Sequence, residues 1–439
     1  MKDEQPLSEK MYQYLAEDED ARVCKDIPGD ACDEQPKAFM LHLWSLTLTK
    51  LGDSLVSARL VLPWLLSATG APVFFISMLV PLRESLSLLP QLFIAQKMRE
   101  RPLRKWFWVA GSLGQAFALL AMVVGIFLLE GSAFGWWIVG WLALFSLARG
   151  ICSVASKDVL GKTISKTRRG RLTGLAASTA GLMTLATALV IILAPDVEGS
   201  NLLFVLLLGG AALLWVLAAF SYAMIPEVPG ATSGGGNAIS EAIKSLRLLW
   251  TDKTFGHFVA TRALLVSTAF SIPYIVVLIQ RQSENDGVAG LGGLLLASGL
   301  AGMLAGRFWG KWSDKASHHV MAAAALMGVV VMALTLAVDS FAADSLAWLP
   351  VGGGLIFLAA VAHHGARVGR KTYLVDMATQ DNRAQLTAVS NTVIGVLLLL
   401  GMLLGALDSW LGTHSVLWLL IVVGLVAALR AMRLPKVTE

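Results

Sequence analysis

The sequence predicts an all-α polytopic membrane protein: twelve transmembrane helices in two pseudo-symmetric six-helix bundles. Three observations predict it. The first is composition: of 439 residues, 56% are hydrophobic and 15% charged, with a mean hydropathy of +0.67, too apolar for a water-soluble globule of this size. The second is a count of apolar runs against the roughly 20 residues that a helix needs to cross the hydrocarbon. Twelve runs meet it: 43–68, 72–94, 106–129, 133–156, 172–194, 201–225, 255–280, 287–309, 317–338, 346–369, 385–407 and 413–433. The third is an internal copy. Gln96-Lys97-Met98-Arg99-Glu100-Arg101 and Gly310-Lys311-Trp312-Ser313-Asp314-Lys315 lie at an offset of 214 (314 − 100), which also pairs Lys157 with Lys371, Leu160 with Leu374 and Arg169 with Arg383. A duplicated set of six spans implies a cavity between its halves, the plan of a transporter.

The opening segment, residues 1–38, is acidic (Glu17-Asp18-Glu19-Asp20, then Asp26, Asp30, Asp33 and Glu34) and has no apolar run of signal-peptide type, so it reads as a cytoplasmic arm. It holds Cys24 and Cys32; in a reducing compartment, with no histidine nearby, their spacing reads as two free thiols and no metal site. The first bundle follows over 39–226. A linker over 227–253 follows Pro226, opens with Glu227-Val228-Pro229-Gly230 and a glycine run, and is expected to carry a short amphipathic helix from Ile239 to Leu249. The second bundle covers 254–434 and a short tail 435–439. All other connections are short, with no room for a catalytic domain, and the chain has no P-loop, His-Glu-x-x-His or nucleophile elbow. A non-enzyme without a cofactor is expected, its energy drawn from a gradient.

Charge is distributed by loop. Lys97, Arg99, Arg101, Arg104 and Lys105 crowd one connection, and Lys157, Lys162, Lys166, Arg168, Arg169 and Arg171 another, with further basic clusters near 310, 370 and the C terminus. The alternate loops carry Glu130, Asp196, Glu198, Glu284, Asp286, Asp339, Asp344 and Asp408, with Arg281 their one basic residue. By the positive-inside rule both termini are cytoplasmic, in what compactness suggests is a bacterial inner membrane. The net charge of +5 is thus a topology signal with a weak pull on anionic lipid heads, not a nucleic-acid footprint.

The duplicated turns resemble the loop between the second and third helices of the major facilitator superfamily, roughly Gly-x-x-x-Asp-Arg/Lys-x-Gly-Arg/Lys-Arg/Lys. The second copy keeps Gly310, Asp314 and Lys315 but ends in His318-His319; the first has Gln96 for the glycine and Glu100 for the aspartate, then Arg101, Arg104 and Lys105. With twelve spans, a linker after the sixth and the repeat, the resemblance covers the chain from about residue 40. It implies a monomeric secondary transporter in which Gln96, Glu100, Arg101, Gly310, Asp314 and Lys315 serve gating. The physical basis is that a carboxylate at a helix end can accept from exposed amides of a neighbouring helix and pair with Arg or Lys. The fifth span, Gly174 to Gly181, lacks the Gly-Pro element of proton-coupled drug antiporters, whereas Asp53 with Leu62-Pro63 resembles the acidic first helix of many exporters. Direction stays open.

An ionisable side chain at the bilayer centre costs on the order of 2.5 to 3.5 kcal/mol, so each needs a reason. Asp53 in the first span and Arg149 in the fourth lie at depths compatible with a pair, although Lys50, three residues before Asp53, could neutralise it locally. Arg83 and Glu84 are adjacent and point in different directions, so each needs a partner on another helix; Arg59 is the natural one for Glu84, either as static glue or as a protonatable coupling pair. The second half offers Arg262, Arg367 and the histidines His363 and His364, a candidate proton relay, and no deep carboxylate. Five arginines around one cavity favour a substrate bearing carboxylate or phosphate, so a small anionic or amphiphilic solute is expected, and Asp53 and Glu84 motivate the hypothesis of coupling to protons. Two other readings compete: a sensor or scaffold that recruits a partner through the acidic arm, and a lipid flippase on the same architecture.

Overall fold

The computed structural model describes residues 27, 29–193, 201–230, 232, 245–282, 288–378 and 383–437. These are helical almost throughout. The first half holds α1 (Gly29–Asp33), α2 (Gln35–Leu55), α3 (Val61–Ala68), α4 (Val73–Leu88), α5 (Gln91–Arg99), α6 (Lys105–Leu128), α7 (Gly131–Thr163), α8 (Lys166–Ile192) and α9 (Leu202–Ala223). The second holds α10 (Leu248–Thr251), α11 (Lys253–Leu264), α12 (Ser267–Gln282), α13 (Val288–Phe341), α14 (Leu349–Met377), α15 (Arg383–Leu400) and α16 (Leu404–Met432).

Among the described residues ten stretches are long and apolar enough to cross a membrane unaided, one of them Gln385–Met432, which at 48 residues is two spans in one run. The twelfth crossing is the first, which is broken: α2 ends at Leu55 and α3 starts at Val61. Each half therefore opens on an interrupted helix, α2/α3 in one and α11/α12 in the other, and in both the second piece contains a proline, Pro63 or Pro273. A long α13 turns at Ala316, the one non-helical residue inside it, so its two arms supply two crossings. Gly412 (φ +80) breaks α16 in the left-handed region that glycine tolerates. The chain is an integral, multi-pass membrane protein.

The first span begins earlier than its apolar run suggests. Gln35 starts α2 with a proline in its first turn, and its Oε1 accepts from the Ser165 amide at 2.9 Å. Ala38 and Phe39 are buried with Ile164 and Leu172, and His42 meets Thr163 Oγ1 at 2.9 Å. The boundary expected at residue 38 thus falls inside a packed helix. Cys32 is disulfide-bonded, where the compartment argument expects a free thiol; Cys24 and the acidic run at 17–20 lie outside the described residues, as does most of the helix expected over 239–249.

Small residues let helices approach. A Cβ on Gly52 would stand 2.5 Å from the Trp215 ring, which presses α9 onto α2, and one on Gly111 would stand 2.6 Å from Cys152 Sγ, which does the same for α6 and α7. The halves meet along α4 with α15 and α16, and along α8 with the first arm of α13. Ser85 Oγ donates to the Gly395 carbonyl at 2.6 Å, a Cβ on Gly405 would strike Ser77 and one on Gly292 would strike Ile192. Gln280 Nε2 donates to the Trp64 carbonyl at 3.2 Å, and the Trp64 ring covers Gly290. Gln280, Gly290 and Ile192 border the acidic loops and Trp64 reaches two of them from the same end of the first crossing, so the halves are sealed on that side.

Candidate functional site: a cationic cavity between the halves

Between the halves lies a cavity of about 940 Å³, the size that takes a small molecule. It reaches from Leu60, Val80, Thr184 and Leu295 in its interior to Lys50, Gly174, Gly306 and Lys371. Gly174, Gly306 and Lys371 lie toward the basic-loop ends of their helices, so the mouth opens on that side.

Asp53 is the hub of the first half's wall. Its Oδ1 accepts from Arg83 Nη2 at 2.8 Å and from Arg149 Nη1 at 2.5 Å, and its Oδ2 lies 2.5 Å from Arg149 Nη2. One carboxylate thereby ties α2, α4 and α7 together. Arg83 is fixed further by the Phe145 ring, 5.1 Å from its guanidinium carbon. Lys50 lines the cavity within electrostatic range of Asp53 but forms no ion pair with it. Glu84 Oε1 accepts from Arg59 Nη2 at 2.7 Å. Arg59 sits in the break between α2 and α3, where the interrupted helix lets its side chain turn to α4. Pro81, inside α4, removes one helical hydrogen bond just ahead of Arg83 and Glu84.

The second half presents His364, Arg367, Arg370 and Lys371 from α14. Two sequence candidates fall elsewhere. Arg262 is buried and donates to Ser390 Oγ at 2.6 Å and to Asn391 Oδ1 at 2.9 Å, a brace between α11 and α15. His363 is buried, its Nδ1 3.5 Å from Thr268 Oγ1, so the two histidines diverge and only His364 reaches the cavity. Arg370 and Lys371 were missed as site residues; the available signal was their spacing of three and four from Arg367, which puts all three on one helical face.

Among the described residues, seven cations (Lys50, Arg59, Arg83, Arg149, Arg367, Arg370, Lys371) and two carboxylates (Asp53, Glu84) line the cavity, a balance of 7 − 2 = +5 with His364 neutral. The clusters include no group of His, Cys, Asp and Glu arranged to hold a metal among the described residues.

The loop residues expected to gate are placed differently from one another. Glu100 pairs with Lys97 on its own turn at 2.8 Å, both exposed. Arg101 is exposed, Gly310 has open space around it, Lys315 is exposed, and the side chains of Gln96 and Asp314 lie outside the described part. The inter-helix charge cluster on this side is a neighbouring one. Glu227, with its side chain fully buried, accepts from the Arg104 and Lys105 amides at 2.9 and 2.8 Å and from Lys162 Nζ at 3.0 Å. Asp158 pairs with Arg104 and, at 2.8 Å, with Lys162. This carboxylate pair caps the N terminus of α6 and joins it to α7 and to the start of the linker.

No family model and no curated relative matches the sequence. Solved structures do match. A peptide transporter POT in complex with sulfate superposes with a TM-score of 0.67 at 12% identity, covering 91% of this chain and 96% of that one. The nucleoside transporter NupG, as a mutant, gives 0.67 at 11% over 90% and 100%, and a D-xylose-proton symporter 0.66 at 13% over 91% and 98%. Likeness at so low an identity shows architecture alone, and the architecture is shared nearly end to end: this chain has the major facilitator fold.

Proposed function

We propose that the protein is a secondary active transporter that carries a small anionic solute across the bacterial inner membrane by rocking its two halves about the central cavity, with both termini in the cytoplasm. The single observation that supports this most is the cavity itself: of solute size, sealed on the acidic-loop side, open on the basic-loop side, and lined with a balance of +5. With basic loops cytoplasmic, it is an inward-open carrier. Its structural neighbours carry peptides, nucleosides and a sugar, cargoes too unlike one another to name this one.

Within this reading the two carboxylates divide the work. Asp53, accepting from two guanidiniums, is the clamp that holds the first half's wall; Glu84, with one arginine partner and a side chain 37% exposed, is the one a proton can reach and is the coupling residue. The Arg104–Asp158–Lys162–Glu227 cluster is the cytoplasmic latch of the first half. Metabolite profiling of cells and medium, comparing the intact protein with Asp53→Asn at matched expression, tests the reading. A solute enriched in cells by the intact protein alone means uptake, and in the medium, efflux. Identical profiles on both sides would sink it.

A further inference from the structure

The cations of the cavity fall into two sets. Arg59, Arg83 and Arg149 are engaged by Glu84 and Asp53. Lys50, Arg367, Arg370 and Lys371 form no ion pair with a carboxylate among the described residues, although Lys50 is in electrostatic range of Asp53 and Arg367 and Arg370 of Glu84, and all four line the cavity. They also stand on opposite walls. Lys371 is within electrostatic range of Arg367 and Arg370 on its own helix and of Lys50 and Lys157 on the other half, and Lys50 is in range of Arg367. Like charges therefore face one another across the mouth, α2 and α7 against α14.

Closing the mouth would bring these cations together and expel the water that screens them, and uncompensated charge in such a space is strongly unfavourable. A neutral solute leaves that repulsion in place. A monoanion satisfies one wall and leaves the other bare. A solute with two or more anionic groups reaches both walls and converts the repulsion into attraction; arginine forks suit carboxylate and phosphate oxygens equally. With the two carboxylates of the cavity already occupied, cationic and donor-rich solutes find no free acceptor of full charge.

Building on the transporter reading above, we propose that the cargo is a multivalent small anion, a phosphate ester or a di- or tricarboxylate, and that it closes the carrier by bridging Lys50 on one half to Arg367, Arg370 and Lys371 on the other.

The full-length protein is reconstituted in liposomes and incubated with a deproteinised bacterial cell extract; the solutes retained inside are identified by mass spectrometry against protein-free liposomes. The proposal expects the retained solutes to bear two or more acidic groups. Retention of monoanions, neutral solutes or cations instead overturns the proposal while leaving the transporter reading intact. Retention of nothing overturns both. The variant R370Q/K371Q is expected to lower retention of the multivalent solutes by about tenfold or more, two charge-assisted contacts being lost, with its thermal unfolding midpoint in detergent undiminished. Undiminished retention by that variant overturns the proposal. Should the double variant fail to fold, K50Q on the opposite wall makes the same test with the same expected direction.

Discussion

In the first half the cavity carboxylates are both engaged, Asp53 by Arg83 and Arg149 and Glu84 by Arg59; in the second, Arg367, Arg370 and Lys371 face the same space with no carboxylate contributed from their side among the described residues. The helix plans of the halves correspond, down to the interrupted first crossing, yet one wall engages three of its four cations with its own carboxylates and the other is left for something else to neutralise. A wall whose charges are mutually satisfied is stiff, because moving one helix breaks a desolvated pair. A wall of bare cations is responsive, because its free energy depends on what the cavity contains. Duplication thus produced a frame and a reader from one template.

The most damaging change to the frame is Asp53→Asn, which leaves Arg83 and Arg149 facing each other without a counter-charge. It should destabilise the fold by about 3 kcal/mol, the typical cost of removing one partner of a buried pair, and reduce transport to background; thermal unfolding in detergent and uptake into liposomes check both. Adding Arg149→Gln should restore part of the stability, since the double change removes one of the stranded cations. If Asp53→Asn unfolds at the temperature of the intact protein, the frame is not built on this residue.

The corresponding change to the reader, Arg367→Gln, should separate binding from stability. One lost charge-assisted contact raises the KM for an anionic solute about tenfold. The unfolding midpoint should hold or rise, because the substitution removes repulsion from a like-charged face. A fall in stability comparable with that of Asp53→Asn would erase the distinction between the walls.

Much of the frame was legible in the sequence and much of the reader was not, for a physical reason. Charges deep in an apolar run are conspicuous, and depth counted along a helix at 1.5 Å per residue aligns Asp53 with Arg149 and Glu84 with Arg59. Arg370 and Lys371 sit where a span gives way to a basic loop, and there a cation that sets topology and a cation that faces a cavity look identical in one dimension. Only the packing of α14 turns them inward. The same limit hid the Arg83 to Asp53 bond, which depends on which way α4 turns Arg83, and the Glu227 cluster, since Glu227 looks like one more linker residue until α6 presents its first amides. The early start of α2 was hidden by His42, a polar residue in a buried position whose Nε2 meets Thr163.

Glu84→Gln sharpens the comparison within the first half. The pair it breaks is partly solvated, with side chains 23% and 37% exposed, so the stability cost should be about 1 kcal/mol or less. Its functional signature should be selective: exchange of solute across the membrane persists, whereas accumulation driven by a pH gradient is lost, because the group that carries the proton is gone. Loss of exchange as well would make Glu84 part of the frame, not the coupling site.

The smallest effect belongs to the two histidines, and it tests how finely the cavity boundary is drawn. His363 and His364 are adjacent on α14, so helical geometry turns them about 100° apart; one packs against Thr268 and the other lines the cavity beside Gly302. His364→Gln keeps a polar group of similar size but alters what an anionic solute meets beside Arg367, and should change KM by about threefold, the loss of a neutral hydrogen bond. His363→Gln should leave KM alone and act only on stability, through the weak contact with Thr268. The neighbours are alike in sequence and in chemistry, so any difference in KM between the two variants reports orientation alone. Equal shifts in KM would mean that the inner face of α14 is wider than the cavity shows, with the responsive wall extending behind His364 toward α12.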